Sequence, residues 1–174
     1  GIGTLGKSAY KFADYLEKAK QTLWQVLPLG PTGYGDSPYA SFSTFAGNPL
    51  LIDLQLLVEK NWAKDDVLIL PDYIKTFGNI DYGSVVWWKL PVLFECANYF
   101  LKNASKEDLI QFEIFKKENQ FWLDDYASFT SIKNFFDKKA QEMNVTGQAS
   151  MWNNFWPKDL ASHKEKAIQK WNKE

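Results

Sequence analysis

The sequence predicts an α/β chain, mostly α-helical with few strands, that forms one piece of a larger α/β domain. Three observations lead there. A glycine-rich opening runs into an amphipathic helix; an unbroken apolar stretch, Leu23–Leu29, follows it and reads as a strand buried on both faces; several helical segments then follow with no second clear strand. Helix then buried strand is half of a parallel β–α–β unit, and a single parallel-type strand has no partner here. A mostly helical protein with one isolated strand is the other arrangement this count allows.

Each element has a local reason. Ala9, Phe12, Ala13, Leu16 and Ala19 recur at helical spacing, with Lys11, Asp14, Lys18 and Lys20 between them, so the first helix is amphipathic. "GIGTLG" before it supplies turn geometry. It is not a dinucleotide fingerprint, because no strand precedes it. After the apolar stretch comes "GPTGYGDSPYASFSTFAGNP", a loop dense in glycine, proline and hydroxyl groups. Asn48 and Pro49 then read as the cap and first residue of a helix through "LLIDLQLLVEK". "AKDDVLIL" is a short turn or helix, and "LPDYIKTFGNIDYG" is an irregular connection. From Ser84 to about Lys102 the pattern is helical, with Pro91 set to kink or restart it. Ser105 and Asp108 form a capping pair for a further helix, broken near Lys116–Asn119. "VTGQASMWNNFWP" reads as a loop around two tryptophans, and the chain ends in a short polar helix from Pro157 onward.

Composition excludes several functions. The formal net charge is −1 and all 20 basic side chains are lysine. Without arginine there is no bidentate fork to read phosphate or guanine, so no nucleic-acid partner is expected. No apolar run approaches the roughly 18 residues needed to span a bilayer, so no membrane partner is expected either. Cys96 stands alone and reads as a small buried residue on a helix, which fits a reducing, cytoplasmic setting. His163 has no second histidine or cysteine with which to build a metal or nucleophile site. Asp65/Asp66 and Asp124/Asp125 are sequence neighbours, pointing about 100° apart on a helix, and do not flank one bond. No catalytic residue, metal or cofactor is therefore assigned. Most of the tryptophans, Trp24, Trp122, Trp152 and Trp156 among them, read as core; of Trp87 and Trp88, one faces the core.

The loop after Leu29 is the candidate binding element. Gly33 and Gly35 permit unusual backbone, Pro31 and Pro38 stiffen it, and Tyr34, Asp36, Ser37 and Tyr39 are set into that frame. Tyrosine offers a stacking face and a hydroxyl; aspartate and serine suit sugar hydroxyls. On the residues alone, a ligand site and an elaborate structural turn both remain open.

"GIGTLGKSAYKFADYLEKA", "WQVLPLGPTGYGDSPYASFSTFAGNPLLIDL", "IDYGSVVWWKLPVL" and "ENQFWLDDYASF" resemble the N-terminal part of the 4-α-glucanotransferases, the amylomaltase or disproportionating-enzyme family. The likeness covers nearly the whole chain in order and weakens after Lys138. Trp152, Trp156, Pro157 and Leu160 match the family's tryptophan-rich segment, but arginines expected beyond it are missing, and His163 stands near one such position. The resemblance implies a (β/α)8 barrel with a helical insertion. Residues 1–48 would be a barrel helix, a barrel strand and the substrate loop, and residues 49–174 the mainly helical insertion. It also implies retaining transfer of α-1,4-glucan segments between maltodextrin chains. The reactive aspartates and glutamate belong to later strands whose motifs are absent here, so this piece alone is expected to be inactive. Tyr39, with Ser37, Asp36 and Tyr34, would contact glucan at the rim, and an incomplete barrel would self-associate. The alternative is a stand-alone, non-catalytic helical module that binds α-glucans.

Overall fold

The computed structural model describes residues 2–74 and 78–173, with Tyr34 described for its backbone only. Among them the architecture is helical. Helix α1 spans Lys7–Lys18, α2 Leu54–Glu59, α3 Tyr82–Asn103, α4 Lys106–Glu118 and α5 Gln120–Glu142. Three short helices end the chain: α6 (Trp152–Phe155), α7 (Lys158–Ala161) and α8 (Glu165–Trp171). Two compact units are present, residues 1–114 and 115–174.

In the first unit, α1 closes with Lys20 in the left-handed region at φ 60° and with the Gln21 N–H returning to the Leu16 carbonyl at 2.9 Å. The helix expected through "LLIDLQLLVEK" is interrupted. Pro49–Leu51 make a single 3-10 turn, Ile52 and Asp53 are extended, and α2 starts afresh at Leu54. The reason is Asp53, whose Oδ1 accepts the Gln55 and Leu56 N–H groups at 2.9 and 3.3 Å and so caps a new helix. A further 3-10 turn, Asp65–Leu68, fills the place predicted for a short turn. Helix α3 is capped by Asp81, which accepts the Ser84 N–H at 3.1 Å, and it does not restart at Pro91. Leu54, Ala63 and Cys96 form the core of this unit, with Trp88, Val92 and Leu93 packed on it. Trp87 is 76% exposed, so the predicted split of the tryptophan pair holds.

Leu23–Leu29 corrects the sequence reading. No strand forms there, and Leu23 stands 89% exposed. A β-bridge, Thr32 with Ser41, belongs to the loop beyond. A strand needs a neighbouring strand to pair its N–H and C=O groups along its length, and no such strand lies among the described residues. Trp24 is accordingly half-exposed rather than core, meeting Phe12 of α1 edge-on at 5.0 Å.

Ser105 caps α4 as predicted, accepting the Asp108 N–H at 3.1 Å and donating to Asp108 Oδ2 at 2.9 Å. The break before α5 falls at Asn119, whose side chain donates to the Phe115 carbonyl and accepts from the Trp122 indole. The second unit closes on Ile132 and Phe136 of α5, Trp156 and Leu160, and Ala167 of α8. Its tryptophan segment is therefore not a plain loop. A 3-10 turn at Gly147–Ser150 and then α6 wrap Trp152 and Trp156 against Phe129.

Candidate functional site

Residues 30–48 form a self-braced loop. Its neck closes where the Asn48 N–H donates to the Leu29 carbonyl at 2.8 Å. Inside the neck, Thr32 and Ser41 pair in antiparallel fashion, and a 3-10 turn at Tyr34–Asp36 caps the tip. Gly35 lies at φ 69°, where side chains are strained, and Asp36 follows at φ 54°, which aspartate tolerates. Gly33 serves for a different reason than predicted. Its own φ is −105°, but a methyl there would sit 2.5 Å from the Ala40 carbonyl oxygen. The tip is closed by the Asp36 N–H to the Gly33 carbonyl at 3.3 Å and the Ala40 N–H to the Ser37 carbonyl at 3.1 Å.

Hydroxyl groups brace the rest. Ser37 Oγ accepts the Tyr39 N–H at 3.3 Å, Ser41 Oγ donates to the Ser43 carbonyl at 2.7 Å, and Ser43 Oγ accepts the Ala46 N–H at 3.0 Å. Pro31 and Ala46 are buried beneath this frame. A loop built this way has already lost the conformational freedom that a ligand would otherwise have to freeze.

The structure brings Ser37 and Tyr39 onto one turn. Tyr39 is 76% exposed, Asp36 is exposed and Ser37 is half-buried. The side chain of Tyr34 lies outside the described residues. Tyr39 therefore presents a ring face and a hydroxyl to whatever approaches, while Ser37 doubles as the support of Tyr39's own backbone. At the neck an apolar groove of about 640 Å³ runs along Leu5, Leu29, Pro49, Leu51, Leu56 and Trp62; none of the loop-tip residues lines it.

Two residues outside this loop, Lys89 and Asp53, make contacts that the sequence reading did not single out. Lys89 is buried in the apolar stripe of α3, and its Nζ donates to the Leu50 carbonyl at 2.7 Å. Burial holds its pKa below the usual lysine value, and the charge of Asp53 works in the opposite direction. Asp53, besides capping α2, accepts the Thr4 hydroxyl at 2.6 Å and so ties the opening segment to the same foot. The signal for Lys89 was available: Val85, Lys89, Val92 and Cys96 are spaced 4, 3 and 4 apart, which puts a lysine squarely in an apolar row.

Elsewhere the chemistry is sparse. Among the described residues no group of three or more His, Cys, Asp or Glu could hold a metal, and no helix is long and apolar enough to cross a membrane. His163 is exposed, with Nε2 3.9 Å from the equally exposed Asp125. Cys96 is buried as predicted, and burial raises its thiol pKa.

Comparison with known proteins places the chain in a family. The model of the 4-alpha-glucanotransferases matches residues 1–174. A 4-alpha-glucanotransferase of Clostridium butyricum is 43% identical over all of this chain and 32% of its own length. That of Thermus thermophilus is 41% identical, covering 97% of this chain and 30% of the relative. A chloroplastic/amyloplastic enzyme of the same name from Solanum tuberosum is 36% identical over 77% of the chain. The chain thus spans about a third of the length of the curated relatives it matches. It belongs to the 4-alpha-glucanotransferase family.

Proposed function

We propose that this chain supplies part of the glucan-gripping rim of a 4-α-glucanotransferase, and that the carboxylates which break and remake the α-1,4 bond lie outside it. The observation that carries the reading is the braced loop at residues 30–48, with Tyr39 held 76% exposed on a turn that Ser37 supports. Glucose rings have flat apolar faces edged with hydroxyls, which an exposed tyrosine ring and neighbouring oxygen groups complement. In this role Tyr39 is the principal contact, Ser37 and Asp36 are neighbouring contacts or supports, and Tyr34 joins them. Positioning an acceptor glucan where water would otherwise react favours transfer over hydrolysis.

The parent fold in this reading is a (β/α)8 barrel. Residues 1–48 contribute a barrel helix, a strand and the rim loop, and residues 49–174 the helical insertion. Leu23–Leu29 would become the strand once neighbouring strands receive its backbone groups.

Incubating the chain with maltotriose tests the division of labour. The reading expects neither free glucose nor longer maltodextrins; formation of both would show that a catalytic pair is present. Amide NMR shifts locate binding. Maltoheptaose should move the signals of Gly33–Ser43 and leave those of Ile132 and Leu160 in place. Clear, tight binding by this chain alone would instead favour a stand-alone glucan-binding module.

A further inference from the structure

Lys89 is the one charged side chain buried among the described residues, 4% exposed. Burying an ammonium carries a desolvation penalty that one hydrogen bond and the charge of Asp53 offset only in part. A methionine of similar length would fill the same apolar row without that penalty, so stability alone does not account for a cation here. What the cation holds is informative. Nζ donates to the Leu50 carbonyl at 2.7 Å; the Leu50 N–H donates to Asn48 Oδ1 at 2.9 Å; the Asn48 N–H donates to the Leu29 carbonyl at 2.8 Å. These three bonds run without a gap from α3 to both ends of the neck that closes residues 30–47.

We propose that Lys89 is a positioning residue for the rim loop: by fixing the Leu50 carbonyl it fixes Asn48, and through Asn48 the neck, so that Tyr39 is presented in one place. The proposal rests on reading that loop as a glucan site, and its test separates the two ideas. Space beside Lys89 helps, because a cavity of about 290 Å³ lined in part by Thr4, Asp53, Leu70, Ile74 and Val85 leaves room for a larger cation.

The experiment compares the chain with Lys89→Met, Lys89→Arg and Tyr39→Ala, by amide hydrogen exchange, thermal melting and maltoheptaose titration. Lys89→Met should speed exchange at the Asn48 and Leu50 amides at least tenfold and weaken maltoheptaose binding at least fivefold, with the melting temperature unchanged or raised. Lys89→Arg, which keeps a cationic donor, should restore both exchange and binding. Unchanged exchange at those two amides in Lys89→Met overturns the proposal. So does a loss of binding that tracks a fall in melting temperature and that arginine does not rescue. Should Lys89→Met fail to fold, Lys89→Gln carries the same comparison, with exchange expected between wild type and the methionine prediction. Unchanged affinity in Tyr39→Ala sinks the glucan reading of the loop, while the exchange rates of Asn48 and Leu50 still decide the role of Lys89.

Discussion

A methyl group on Gly6 would lie 1.7 Å from Asp53 Oδ2, far inside any tolerable contact. Gly6 is at φ −110°, which any residue adopts, so it is glycine because the Asp53 carboxylate packs against it. Gly6→Ala must therefore displace the group that caps α2 and holds Thr4. It should cost about 1–3 kcal/mol in urea unfolding, as overpacking does, and Gly3→Ala, with nothing within 4 Å of the added carbon, should cost far less. Lys89 yields a prediction in pH. Its folded pKa lies below the ordinary 10.5, because desolvation opposes the charged form. The unfolded chain thus binds more protons between the two values, and this contribution to stability rises with pH across that window. The stability of wild type minus that of Lys89→Met should accordingly increase as pH climbs toward 10.5; a flat or falling difference would mean that the amine is not desolvated.

At the scale of elements, what was legible in the sequence depended on whether a short-range signal decided the outcome. Helix α1, the caps at Ser105 and Asn48, the break at Asn119 and the split between Trp87 and Trp88 all rest on contacts within about one helical turn, and all were readable. The helix predicted from Pro49 onward was not, because a cap four residues past Pro49, at Asp53, outcompeted continuation. Leu23–Leu29 failed for another reason: apolar sequence selects a strand only where other strands supply hydrogen-bond partners. In the candidate site, the stiffening of the loop, the exposure of Tyr39 and the place of Lys89 in an apolar row could be anticipated, whereas the partners of Lys89 and Asp53, 39 and 49 residues away, needed the fold to be seen. The second unit's core is a firmer element. Phe136 is 5% exposed and meets Phe135, Phe155, Trp156 and Trp171 ring to ring. Phe136→Ala should cost about 3–5 kcal/mol, read as lost tryptophan fluorescence structure at lower urea.

At the scale of the whole molecule, surface decides. The accessible area is 13213 Å², whereas two separate folded units of these sizes would expose roughly 10000 Å² by the usual mass scaling. Leu23, Val26, Leu27, Leu29 and Phe45 are prominent in the excess, each nearly half exposed or more. Large apolar side chains left in water favour association when enough of them lie together. The chain alone should bind a hydrophobic dye strongly and elute from gel filtration earlier than a 20.1 kDa monomer, increasingly so as concentration rises; a sharp monomer with no dye signal would contradict that.

The proposed grip of the loop between Leu29 and Asn48 on an α-1,4-glucan depends on Tyr39. Calorimetric titration of maltoheptaose into the chain and into Tyr39→Ala tests it most directly. Binding should be weak but measurable and should fall at least tenfold, about 1.4 kcal/mol, when the ring is removed. Equal affinity in the two proteins, or none in either, would contradict it.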